Sequence, residues 1–101
     1  MYQVKISREF WKSGEFLKEI YGKHEYKEIL REIKETILTL SETGVLPENY
    51  NDHVLEHAPY ISFNEYHVRE DVLVVYSRKD KRLSFRFVEI TNHEKLANYD
   101  K

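Results

Sequence analysis

Cysteine is absent from the 101 residues of this chain. Its absence excludes disulfide bonds, thiolate zinc sites and cysteine nucleophiles. Glycine and proline are scarce, with three and two copies, so the chain is not a low-complexity linker. With 41% hydrophobic and 34% charged residues, it has the composition of an ordered globular domain rather than that of a disordered segment.

Long apolar runs are missing too. No segment is long enough for a transmembrane helix, and the first residues lack the apolar core of a secretory signal peptide. We therefore expect a cytoplasmic protein with no membrane partner. The length predicts a single domain over residues 1–101.

An excess of positive charge is also missing. The net charge of −2 argues against a protein that binds nucleic acid over a broad basic surface. The one local basic cluster consists of Arg78, Lys79, Lys81, Arg82 and Arg86. It is a candidate RNA- or phosphate-binding patch, although a solvated hairpin tip has the same composition.

The N-terminal half has the pattern of one strand followed by two helices. Residues 2–6 alternate apolar and polar, as a strand does. Ser7 is placed to cap a helix that Gly22 would end. A second helix, with apolar residues at helical spacing over 26–40, is predicted to stop at Gly44.

The C-terminal half switches to the pattern of strands. We expect a short strand at 53–56 and a central strand over 66–77 that is apolar on both faces. After a turn at 79–81, a strand at 83–90 returns, and a short helix through Leu96 follows. The predicted fold is α+β: two N-terminal helices on a mostly antiparallel four-stranded sheet, in the order β-α-α-β-β-β, with a short C-terminal helix.

Three histidines and an aspartate in the sheet half have the chemistry of a proton-transfer site. His53, His67 and His93 each lie on a predicted strand or at its end. Residues four apart on an extended segment face the same side, so Asp71 and His67 should point together. We expect the four side chains on the sheet face opposite the helices, where imidazoles can exchange protons near neutral pH.

Other roles remain open for these residues. A lone histidine on a strand is more often structural or solvent-exposed than catalytic, and Asp71 could simply end a turn. Three histidines and an aspartate are also zinc ligand types, but their spacing matches no metal motif, so we expect no metal. His24 and His57 are expected to be surface residues.

Four short boxes follow one another along the chain. Residues 52–55 read D-H-V-L, and residues 64–76 contain H-V-x-x-D followed by four apolar residues and tyrosine. Residues 86–87 and 91–96 close the series with R-F and T-N-H-E-K-L. In this order the boxes resemble the YafQ-type toxins of the RelE superfamily, and the match covers nearly the whole chain.

The resemblance implies the toxin of a type II toxin–antitoxin system. Such a toxin is a ribosome-dependent endoribonuclease that cleaves messenger RNA by metal-independent histidine acid–base catalysis. The implied partners are a cognate antitoxin, in a toxin–antitoxin hetero-oligomer, the ribosome and messenger RNA; no cofactor is implied. Carried over by position, His53, His67, Asp71 and His93 are the catalytic set, and Arg86 supplies positive charge.

Three positions depart from the family pattern. Val72 stands where tryptophan is frequent, Glu89 where arginine is common, and Ala97 where an aromatic residue is usual, with Tyr99 as a nearby substitute. Two other functions fit the same fold: inhibition of a protein target, as in gyrase-directed relatives, and a catalytically decayed domain that still binds antitoxin. The gyrase-directed relatives lack a histidine set, so the histidines favour the nuclease.

Overall fold

The structure, a computed structural model, describes residues 2–98. This part of the chain forms three α-helices and five strands. Tyr99 lies outside these residues. In chain order the elements are β1 (Gln3–Ile6), α1 (Arg8–Ser13), α2 (Leu17–Thr43), β2 (His53–Val54), β3 (Asn64–Arg69), β4 (Val72–Lys79), β5 (Ser84–Thr91) and α3 (His93–Asn98). None of the helices within residues 2–98 is long and apolar enough to cross a membrane.

The sheet has the strand order β1-β5-β4-β3-β2. β1 is parallel to β5, and the other three pairs of neighbours are antiparallel. The α+β class, the two helices on one face and the short C-terminal helix are confirmed. The strand number is not: the described residues form five strands, where we predicted four.

The extra strand comes from the segment predicted as one central strand over 66–77. This segment is a hairpin in which β3 turns back at Glu70 and Asp71 and pairs with β4. Both arms are apolar, and the turn contains neither glycine nor proline, so no turn signal interrupts the pattern. A bulge between His67 and Arg69 accompanies the tight reversal.

The predicted helix ends agree with the structure at three positions. The Ser7 hydroxyl accepts a hydrogen bond from the backbone N–H of Phe10 at 3.1 Å. Gly22 breaks α2 with a φ of 83°, and Gly44 ends it with a φ of 79°, values that favour glycine. The predicted first helix is nevertheless split, because α1 ends at Ser13, whose hydroxyl accepts from the Ile90 backbone N–H of β5.

The hydrophobic core lies between α1, α2 and one face of the sheet. Tyr66, Val74 and Phe87 belong to this core, and the Tyr66 hydroxyl lies 2.7 Å from that of Thr36 on α2. Because side chains alternate along a strand, the neighbours of these core residues project from the opposite face. We call this side, away from α1 and α2, the outer face.

Candidate active site

Three imidazoles form a row on the outer face. His53 comes from β2, His67 from β3, and His93 is the first residue of α3. The ring centroids of His53 and His67 are 6.3 Å apart, and those of His67 and His93 are 5.6 Å apart. The structure therefore brings the predicted histidines together, while His24 and His57 are exposed elsewhere on the surface.

Asp71 joins this row for a different reason from the one expected. It does not share an extended segment with His67, because it lies in the β3–β4 turn. Its Oδ1 accepts two hydrogen bonds from His93, from the backbone N–H at 2.9 Å and from Nδ1 at 2.5 Å. Tertiary contact, not strand alternation, aligns the carboxylate with the rings.

The Asp71–His93 pair has a defined protonation pattern. The backbone N–H of His93 is the main cause that lowers the pKa of Asp71 below its usual value, and the imidazoles of His93 and His67 add to it. As a carboxylate, Asp71 can only accept, so Nδ1 of His93 carries a proton. Nε2 of His93 is therefore the ring atom left to exchange a proton with a substrate.

His53 is held by the segment that precedes it. After a 3-10 turn at Glu48–Tyr50, Asn51 adopts a φ of 52°, a left-handed conformation that asparagine tolerates. Its carbonyl oxygen accepts from Nδ1 of His53 at 2.7 Å. Nε2 is again the ring nitrogen that faces the site.

Asp52 anchors this segment to the sheet. Its carboxylate accepts from the Tyr76 hydroxyl at 2.6 Å and from Nδ2 of Asn64 at 3.4 Å. Burial and the Asp52 carboxylate both raise the pKa of Tyr76, so the hydroxyl keeps the proton that it donates. The aspartate of the D-H-V-L box thus positions the histidine that follows it.

Glu65 is a site residue that the sequence analysis missed. Its side chain is only 6% exposed, and its Oε1 lies 3.5 Å from Nε2 of His53 and 3.4 Å from Nε2 of His67. It is opposite His53 in the β2–β3 register and two residues before His67 on the same strand. The sequence signal that could have identified Glu65 is a charged residue inside a strand, two positions from His67 and therefore on the same face. Its burial, however, depends on the fold.

The basic residues predicted to bind RNA do not all face the same side of the sheet. The guanidinium of Arg78 is occupied within the protein: it donates to the Gly44 carbonyl oxygen at 3.0 Å and to Asp80, and it lies 4.9 Å from the Phe85 ring centroid. Arg86 is exposed on β5, on the outer face beside Ser77 of β4. Only Arg86 lies on the strand that leads directly to His93.

The hairpin tip is remote from the histidines. Lys79, Lys81 and Arg82 are exposed at the end of β4 opposite to the Asp71 turn. The eight residues of β4 separate the two ends of the strand by about 23 Å at the usual rise per residue. An RNA bound at both places would need several nucleotides to span this distance.

The three departures from the family pattern occupy different environments. Val72 is fully buried in the core, and Ala97 lines a small cavity between α3 and the loop that contains Tyr60. Glu89 accepts a hydrogen bond from the Tyr60 hydroxyl. Position 89 therefore presents an acidic group on the outer face where arginine is common.

The site residues include side chains of the types that ligate metal ions. No three of the histidine, aspartate and glutamate side chains in this part of the chain converge so as to hold a metal ion. The nearest such arrangement is at Glu65, whose Oε1 lies 3.5 Å from Nε2 of His53 and 3.4 Å from Nε2 of His67.

Comparison with protein families gives one match over nearly the whole chain. A sequence model of the family described as "Bacterial toxin of type II toxin-antitoxin system, YafQ" matches residues 2–98. A comparison with curated protein sequences gave no match.

Solved structures with the same fold include three bacterial proteins. A copper-bound mutant toxin from Helicobacter pylori is 26% identical, with 95% of this chain and 99% of that chain covered and a TM-score of 0.68. A YafQ mutant from E. coli is 18% identical, with 95% and 98% covered and a TM-score of 0.71. A chain of an E. coli DinJ–YafQ complex is 22% identical, with 95% and 98% covered and a TM-score of 0.69.

Proposed function

We propose that this chain, which belongs to the YafQ family of bacterial toxins of type II toxin–antitoxin systems, is an endoribonuclease that cleaves messenger RNA by histidine acid–base catalysis. The observation that carries the proposal is the row of three imidazoles, with the carboxylate of Asp71 on His93 and that of Glu65 beside His53 and His67. Such a row supplies proton donors and acceptors on both sides of a phosphate without any cofactor.

The reaction uses a nucleophile that RNA provides. The 2′-oxygen attacks the adjacent phosphorus while a neutral imidazole takes its proton, and the bond from phosphorus to the 5′-oxygen breaks. A protonated imidazole gives its proton to that leaving oxygen, so the products are a cyclic 2′,3′-phosphate and a 5′-hydroxyl. A base, an acid and stabilisation of the phosphorane charge are the three requirements.

The hydrogen bonds of the site support a division of these tasks among the rings. His53 and His93 each commit Nδ1 to an acceptor inside the protein, so each exchanges protons through Nε2. They are the two members of the acid–base pair. His67 lies between them, where its ring faces the developing charge on the phosphorane.

Glu65 acts as a positioning residue for two of the rings. Its buried carboxylate lies within 3.5 Å of Nε2 of His53 and of His67 and attracts both rings when they are protonated. Because it acts through the rings, Glu65→Gln should lower kcat, change the pH profile of cleavage and leave KM nearly unchanged. An unchanged pH profile would remove Glu65 from the mechanism.

The partners follow from the family and from the charge. One relative in this fold was solved as a DinJ–YafQ complex, and we propose that a cognate antitoxin likewise covers and silences this chain in a hetero-oligomer. With a net charge of −2, the free protein neutralises few phosphates. We therefore propose that the ribosome presents the message to the histidine row.

Expression with and without the cognate antitoxin tests the function. Without antitoxin, growth should stop and the mapped 5′ ends of cellular messenger RNA should show new cleavage sites; with antitoxin, both effects should disappear. The double variant His67→Ala/His93→Ala is the control that should cleave nothing. Growth arrest with intact messages would instead indicate inhibition of a protein target.

A further inference from the structure

The outer face carries two basic side chains outside the histidine row. Lys5 of β1 and Arg86 of β5 are paired in register on neighbouring strands, and Ser77 of β4 lies on the other side of Arg86. Val4 and Phe87, their neighbours in sequence, belong to the core or pack against it. Strand alternation therefore places Lys5 and Arg86 together on the outer face.

The Lys5–Arg86 pair is unfavourable for folding by itself. The two cations are register partners on the parallel strands β1 and β5 and repel one another, and neither side chain forms an ion pair with any residue from 2 to 98. Both are exposed to solvent. An anion bound between them would remove the repulsion.

A cavity beside the pair has the size and charge for such an anion. Its volume is about 360 Å³, and it is lined by Lys5, Ile6, Ser7, Arg86, Phe87 and Val88. The lining contains two cations and no acidic side chain. It is therefore suited to a phosphate.

The pair lies on the same face as His67 but is displaced from it along the strands. On β4, Leu73 is opposite His67 and Ser77 is opposite Arg86. Four residues along a strand correspond to about 13 Å, a distance that an extended single strand covers in a few nucleotides. Lys79 lies two residues further along the same face, which continues the path in the same direction.

We propose that Lys5 and Arg86 bind a backbone phosphate of single-stranded RNA that flanks the scissile phosphate. This deepens the proposed nuclease function and rests on it for the identity of the RNA. The pair shares the outer face with the histidine row, which favours the substrate over a protein partner as the occupant.

The test compares the double variant Lys5→Gln/Arg86→Gln with the wild type. The probe is a short single-stranded RNA that is 2′-O-methylated, so that it binds but cannot be cleaved. In the double variant the affinity at low salt should fall. The slope of log affinity against log salt should become shallower by about 0.7, the contribution of one neutralised phosphate of a single strand.

A matched control changes the same charge elsewhere. Lys23→Gln/Lys27→Gln removes two exposed cations from α2, on the side away from the outer face, and should keep the wild-type slope. The melting temperature of Lys5→Gln/Arg86→Gln should equal or exceed that of the wild type, because the repulsion is gone. Loss of binding together with preserved stability would show that the effect is not unfolding.

Three outcomes would overturn the proposal: an unchanged slope in Lys5→Gln/Arg86→Gln, an equal change in the α2 control, or a loss of antitoxin affinity with RNA binding intact. The last would assign the surface to the protein partner. Because binding is measured without cleavage, failure of the phosphate site can be distinguished from failure of the nuclease function. A shallower slope in a protein that cuts no message would keep the phosphate site and reject the nuclease, whereas cleavage with an unchanged slope would do the reverse.

Discussion

Each imidazole in the row has a defined neighbour, so the histidines can be tested one residue at a time. His67→Ala and His93→Ala should each lower the cleavage rate by roughly 100- to 10,000-fold, the usual effect of losing one acid–base group. Both side chains are partly exposed, so the fold should remain intact by circular dichroism. His24→Ala and His57→Ala are the matched controls and should keep full toxicity.

A modified substrate can separate the acid from the base. If the 5′-oxygen of the scissile bond is replaced by sulfur, the leaving group departs without a proton. Either His53→Ala or His93→Ala, whichever lacks the general acid, should then recover most of its lost rate, and the other should not. Recovery in both variants, or in neither, would contradict an acid–base pair made of these two rings.

Asp71 links the site to the pH dependence of stability. Its pKa is lower in the folded protein, chiefly because of the His93 backbone N–H, than the value of about 3.9 for an unfolded aspartate. The stabilisation is therefore complete above that value and is lost as pH falls through the lower folded pKa. In urea unfolding at neutral pH and near pH 3, wild type should lose more stability on acidification than Asp71→Asn.

The control for Asp71→Asn is Glu70→Gln. It removes a carboxylate from the same turn without removing a partner of His93, and it should keep the wild-type response to acid. Identical acid responses in wild type and Asp71→Asn would mean that the contact with His93 does not stabilise the folded state.

At the scale of elements, the β4–β5 hairpin contains basic residues with two different roles. Arg78 joins the hairpin to the end of α2 through the Gly44 carbonyl oxygen and packs on Phe85. Arg78→Gln should lower the free energy of unfolding by about 1–2 kcal/mol. Lys81→Gln, at the exposed tip, should change it by less than about 0.5 kcal/mol, as measured by chemical denaturation.

Arg78→Gln and Lys81→Gln also distinguish a role in folding stability from a role in RNA binding. If Arg78 serves only to hold the hairpin, Arg78→Gln should keep the salt dependence of RNA binding that the wild type shows. A shallower slope in Arg78→Gln with unchanged stability would return this residue to the RNA-binding surface.

For the molecule as a whole, imidazole chemistry predicts cleavage without a bound metal. Activity on programmed ribosomes should persist after the toxin is treated with EDTA, once magnesium is restored for the ribosome. Metal analysis of the purified protein should find no stoichiometric zinc or copper. Activity that is lost on chelation and returns only with a transition metal would replace acid–base catalysis with a metal mechanism.

Local patterns in the sequence were sufficient for the fold class and for several boundaries. Helical spacing and the glycines at 22 and 44 predict where α2 breaks and ends, because a positive φ is a property of a single residue and its neighbours. The histidines could be identified as candidate site residues from local sequence too, because they are rare, chemically distinctive residues on predicted strands or at their ends. Their order along the chain also matched a family pattern.

Tertiary structure decided everything that depends on residues far apart in sequence. The division of 66–77 into β3 and β4, the burial of Glu65 between two rings and the inward contacts of Arg78 all come from pairing across the sheet or against α2. Asp71 reaches the histidines only because α3 begins beside its turn. Periodicity specifies which face a side chain takes on its own strand, but only packing determines which distant groups meet it there.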